Sequence, residues 1–220
     1  MRNQNIKKQS GFTIIELLVV CAIMAIVATI GIINWNTERS ARTLTIAQNE
    51  LITNIRKVQS YAVSSRNTPA GEAAKYYVIE VSQNATTLPV SAVVGPNNSL
   101  SAVETITLPT DVKISALSLS GQTSSYVAPS GSGACVDIVF SVTYGKTYFV
   151  GCNDLGDALL SFPVLAPLSN FNLSLNVTHK DISKGVSIYG LNGKVEASTP
   201  FDPATVEKEQ QQLREQAGIK

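Results

Sequence analysis

The chain has 220 residues, of which 44% are hydrophobic and 15% charged, with 17 Lys and Arg set against 16 Asp and Glu. That length suits one modest domain plus an anchor, and a net charge of +1 does not advertise a nucleic-acid binder. One histidine, and no P-loop or Gly-x-Gly-x-x-Gly pattern, leave no catalytic constellation and no cofactor motif.

Arg2, Lys7 and Lys8 precede Gly11, and residues 12–35 then form a run of 24 with a single charge, Glu16. As a helix that run is about 36 Å long at 1.5 Å per residue, enough to cross the hydrocarbon core of a bilayer. The three basic residues predict a cytoplasmic N-terminus and export of the rest, since Glu38, Arg39, Arg42 and Glu50 beyond the run cancel. A carboxylate at the centre of a bilayer costs of order 2.5–3.5 kcal/mol, less near an end, so Glu16 calls for a partner. No Ala-x-Ala cut site follows within residues 12–36. A lipoprotein signal through Leu18-Val19-Val20-Cys21 fits poorly because Val20 is bulky. The small residue lies instead before the run, at Gly11, where the missing Cβ lets a protease approach the backbone.

The stretch KKQSGFTIIELLVV, residues 7–20, closely resembles the class III signal of type IV prepilins and type II secretion pseudopilins. The resemblance implies a membrane prepilin peptidase that cuts between Gly11 and Phe12 and methylates the new N-terminal Phe12. Glu16 then becomes the fifth mature residue, where the family carries its glutamate. A neighbour's α-amino group at Phe12 would neutralise that carboxylate and set the register of a helical stack. Cleavage also changes the net charge from +1 to −2. The expected partners are the cytoplasmic membrane, prepilin peptidase, other pilin or pseudopilin subunits and a pilus assembly platform. The expected role is structural, in a pilus or a secretion pseudopilus, and not enzymatic. The alternatives are a minor tip or priming subunit that binds DNA or a secreted substrate, and a membrane-anchored β domain that never polymerises.

Leu44, Ala47, Leu51, Ile55, Val58 and Ala62 recur every three or four residues, one apolar stripe on a polar surface. They predict a helix continuous from about residue 12 to 66, stopped by Asn67-Thr68-Pro69-Ala70-Gly71. β-like runs follow at 76–81, 104–108, 112–119, 136–142 and 147–150, with strict alternation at 171–178 and further runs at 186–191 and 194–197. Tyr144-Gly145-Lys146 reads as a hairpin turn, and Asn192-Gly193 as a two-residue one. The stretches 95–99 and 121–133 read as loops. The architecture is therefore α+β: a long helical spine, membrane half plus amphipathic half, packed on an antiparallel sheet head, the pilin-like order. The expected segments are leader 1–11, membrane helix 12–35, amphipathic helix 36–67, head 72–198 and polar tail 199–220. The closing VSIYGLNGKVEAS is similar to the terminal hairpin of the minor, H-type pseudopilin group.

Cys135 and Cys152 flank the 136–150 hairpin and are the candidate disulfide pair if the head faces an oxidising space, with free thiols as the alternative. Cys21 falls inside the apolar run. No metal site is expected: Asn153, Asp154 and Asp157 lack EF-hand spacing and read as a solvated turn. Lys180, Lys184 and Lys194 are too thin a patch for DNA. In the tail, Asp202-Pro203 reads as the cap and first turn of a helix over 204–217.

Overall fold

The apolar stripe becomes one side of a long helix, α1 (Ile14–Val63). The computed structural model describes residues 13–120, 125–127, 135–142, 145–152, 171–190, 193–205 and 208, without the side chains of 30–37 and 125–127. The chain divides into two compact units, Met1–Ser40 and Ala41–Lys220.

Within the second unit Leu44, Ala47, Leu51, Ile55, Val58 and Ala62 are all fully buried, as a 3.6-residue period requires of a core-facing stripe. The helix stops at Val63 rather than at Arg66. Ser65 enters the left-handed region at φ 50°. Its N–H donates to Ala62 O at 3.1 Å, and the Arg66 N–H donates to Tyr61 O at 3.1 Å. This pair of bonds satisfies the last carbonyls of the helix in the Schellman arrangement, where glycine is the usual residue. Replacing Ser65 with glycine should therefore stabilise the chain by about 1 kcal/mol, the cost of a left-handed non-glycine residue. Urea unfolding of both proteins measures it.

Among the described residues ten strands follow: β1 (Ala74–Ser82), β2 (Thr87–Val94), β3 (Ser99–Thr107), β4 (Val112–Ser120), β5 (Ser125–Val127), β6 (Cys135–Ser141), β7 (Thr147–Gly151), β8 (Asn172–His179), β9 (Ile182–Tyr189) and β10 (Val195–Ser198). They form two antiparallel five-stranded sheets rather than one, in the orders β3-β2-β1-β6-β7 and β10-β9-β8-β4-β5. Both sheets and α1 feed a single core, with Tyr77, Ile79 and Phe140 from the first sheet and Leu173, Leu175 and Ile188 from the second. The link between β1 and β2 also bonds to the second sheet: Asn84 N–H donates to Ile114 O at 2.7 Å, and Ile114 N–H to Ala85 O at 3.1 Å. Polar contacts tie the helix to both sheets. Gln48 Nε2 donates to Gly185 O at 2.6 Å, Arg56 to Val195 O at 2.5 Å, and Lys57 pairs with Glu104 on β3.

Two local expectations need correction. Part of the 121–133 stretch is not loop, because Ser125–Val127 pairs with the edge of β4 through Ser118↔Val127 and Ser120↔Ser125. The Asn192-Gly193 turn is not a two-residue hairpin either. Tyr189 N–H donates to Lys194 O and Gly193 N–H to Tyr189 O, so four residues, 190–193, make the connection. The β6–β7 turn repeats that geometry: Ser141 N–H donates to Lys146 O, and Gly145 N–H to Ser141 O. Each turn ends in a left-handed glycine, Gly145 at φ 61° and Gly193 at φ 63°, where a side chain would be strained.

His179 is the last residue of β8 and is buried. At the start of the tail, Asp202 Oδ1 accepts from Ala204 N–H at 3.1 Å and its Oδ2 from the Thr205 hydroxyl at 2.9 Å, which are capping contacts.

Candidate functional site

The first turn of α1 places Glu16, the acid of the apolar run. Thr13 Oγ1 accepts from Glu16 N–H at 3.3 Å, and Thr13 O accepts from Leu17 N–H at 3.2 Å. Thr13-Ile14-Ile15-Glu16 is thus a capping sequence, Ser/Thr-x-x-Glu, with the carboxylate in the first turn. A negative charge there is favoured by the helix dipole, by roughly 0.3–1 kcal/mol. The reading of the sequence passed over Thr13; the Thr-x-x-Glu spacing was the signal for it.

From Ile14 to Val27 every large apolar side chain is exposed, between 47% and 84%. Ile14, Ile15, Leu17, Leu18, Val19 and Val20 cover the whole circumference at 100° per residue, so this is no one-sided stripe. A helix that is apolar all round is ordinarily buried, in a protein core or in a membrane. Thr29 directs its hydroxyl back to Ala25 O at 2.8 Å, satisfying it within the helix. Cys21 is a free thiol on the same surface. Among the described residues no helix is long and apolar enough to cross a membrane; the apolar sequence continues to Trp35, past the last described side chain of the run at Thr29. Gly11 and Phe12 lie outside the described residues.

In the head, Cys135 and Cys152 are bridged, with their Cα atoms 5.6 Å apart. The bridge joins the first residue of β6 to the residue after β7, closing the open end of that hairpin. Asp137 sits two residues into β6, opposite Glu80 on β1 and beside Val150 on β7. Its carboxyl is only 2% exposed. Burial, helped by the Glu80 charge, pushes its pKa up to about 7. Asn153, Asp154 and Asp157 lie outside the described residues.

A cleft of about 300 Å³ opens beside the end of α1, between Tyr61, Arg66, Tyr77 and Glu104. Its carboxylate is taken by Lys57 at 2.5 Å, and Arg66 lies over the Tyr61 ring at 4.5 Å. Those contacts hold charges in place and supply no nucleophile with a base beside it.

Residues 6–32 match the family defined as the prokaryotic N-terminal methylation motif. No curated protein and no solved structure matches the chain. The motif covers the start of the chain and ends before the head. It implies processing by prepilin peptidase, anchoring at a membrane and assembly there with other pilin subunits. This motif, carried by a helix apolar on every side, makes the chain similar at its N-terminus to the processed subunits of the type IV pilin and pseudopilin family.

Proposed function

We propose that the chain is a structural subunit of a type IV pilus or a type II secretion-like pseudopilus, cut between Gly11 and Phe12, N-methylated on Phe12 and polymerised through α1. Before assembly it is a single-pass membrane protein with its leader in the cytoplasm and its head exported. The observation that carries this reading is the exposed apolar circumference of Ile14–Val27, with one carboxylate at its start. Lipid covers such a surface in the membrane, and neighbouring α1 helices cover it in a filament. Cohesion then comes from apolar packing, whereas Glu16 provides the axial register by pairing with a neighbour's Phe12 amine. The chain itself carries out no catalysis; the assembly platform supplies the work.

Replacing Glu16 with valine tests the register role separately from cleavage. The valine chain should be trimmed normally and remain in the membrane, because it still offers Gly11 and a more apolar helix. Its share of sheared filaments should fall well below wild type when both are co-expressed. Efficient incorporation of the valine chain would remove Glu16 from the assembly step. Peptide mass analysis of the sheared fraction reads both the mature N-terminus and the incorporation.

A further inference from the structure

The register of β1 with β6 sets Glu80 opposite Asp137 and Ser82 opposite Cys135. Residues two apart in a strand share a face, so these four side chains stand together. Cys152 joins them from the end of β7. Glu80 Oε1 is 3.9 Å from Cys135 Sγ, and Asp137 Oδ1 is 3.6 Å from Cys152 Sγ. One carboxylate oxygen of Glu80 and both sulfurs all lie within 4.8 Å of one another. The Ser82 hydroxyl is 3.5 Å from Glu80 Oε1 and 3.3 Å from Cys135 Sγ.

A bridged sulfur carries no proton, so Asp137, 98% buried by its 2% exposure, receives no hydrogen bond from it. Among the described residues no other donor reaches this carboxyl. A buried polar group left in that state ordinarily costs about 1–3 kcal/mol and calls for a reason.

We propose that in its dithiol state this corner binds a divalent metal of the zinc class, held by the thiolates of Cys135 and Cys152 and the carboxylates of Glu80 and Asp137. Zinc takes four tetrahedral ligands, with metal–sulfur distances of about 2.3 Å and metal–oxygen distances of about 2.0–2.2 Å. Those lengths give sulfur–oxygen edges of about 3.6 Å and a sulfur–sulfur edge of about 3.8 Å. The two sulfur–carboxylate contacts already stand at 3.6 and 3.9 Å. Breaking their bond lets the sulfurs separate, and the Asp137 carboxylate, which lies near Cys152 but outside the close group of Glu80 and the two sulfurs, must turn inward to complete the set. Thiolates select a borderline or soft metal, whereas calcium demands six to eight oxygens. Glu80 is exposed and keeps the excess negative charge on the solvent side. Ser82 is placed to orient its carboxylate, as outer groups do around metal ligands.

The chemistry balances with a thiol or phosphine reductant. Two thiols convert the cystine to two cysteines and become a disulfide themselves; a phosphine does the same by taking oxygen from water and leaving as its oxide. The metal ion then displaces the two thiol protons.

The test uses the full-length Cys21→Ser chain in detergent, so that the two head cysteines are its only thiols. After phosphine reduction without oxygen, cobalt(II) should bind one per chain and give thiolate-to-metal and tetrahedral cobalt absorption, bleached by zinc. Unreduced protein should give neither band. A Glu80→Gln/Asp137→Asn double variant, verified by its closed disulfide before reduction, should bind cobalt at least tenfold more weakly. Loss of the tetrahedral bands at equal thiol count should accompany that weakening. Absence of a cobalt–thiolate band in the reduced parent overturns the proposal. So does a double variant that titrates like the parent, because two thiolates alone would then account for the binding.

Discussion

Replacing Gly11 with glutamate should leave the chain in the membrane with its leader still attached, with no mature Phe12 terminus and none of it in sheared filaments. The reason is local. A peptidase working at the membrane surface must bring its catalytic groups against the peptide bond before Phe12, and glycine offers no Cβ to obstruct them. Glutamate adds a side chain and a charge where the chain is about to enter hydrocarbon. The apolar run itself is untouched, so insertion and topology should persist. An uncut precursor then retains Arg2, Lys7 and Lys8 and has no Phe12 amine to offer a neighbour's Glu16. Alanine at the same position should be cut slowly rather than not at all, since it adds only a methyl group. Intact-mass measurement of membrane and sheared fractions decides the matter, and a glutamate variant that matures normally would place the cut elsewhere.

The parts of this architecture that could be read in advance are those where one physical period dominates. The Leu44–Ala62 stripe has the 3.6-residue spacing of a helix resting on a core, and all six of its residues are buried. The alternation in 172–178 likewise puts Leu173, Leu175 and Val177 inside. What escaped were features fixed by pairing between distant segments. β2 was missed because Pro89 interrupts its run, yet Pro89 pairs only with Thr105 on β3 and sits just beyond the last β1 pair, Ile79↔Val90. Division into two sheets depends on which strands meet, and no local period encodes that. The buried acid was hidden for a related reason. Asp137 interrupts an apolar run, where a charge ordinarily marks the solvent face, and its position two residues after Cys135 was the available signal that it stands beside the cystine. At the N-terminus the methylation motif of residues 6–32 was legible locally, whereas the Thr13 cap, although its Thr-x-x-Glu spacing signals it, was passed over.

Stability of the bridged chain should fall as pH rises from about 4 to about 7 and then level off, and Asp137 should be responsible. Its carboxyl has an ordinary value of 3.8 and is held at about 7 in the fold. Between those limits the folded chain keeps a proton that the unfolded chain has released, so raising the pH favours unfolding. The stabilisation is complete below the unfolded value and lost through the folded one. At 1.36 kcal/mol per pKa unit the window amounts to roughly 4 kcal/mol. The surroundings supply little relief on deprotonation. Glu80 across the sheet carries the same charge, Val150 on β7 is apolar, and the Cys152 sulfur has no proton to give. Asparagine at position 137 keeps the shape and removes the ionisation. Its denaturation midpoint should vary much less over this range, and at pH 8 it should exceed that of the parent. Urea unfolding at several pH values, with a chelator present and the bridge intact, measures both. A parent chain as stable at pH 8 as at pH 5, or an Asp137→Asn chain with the same pH slope as the parent, would mean that this carboxyl ionises in the fold as freely as in water.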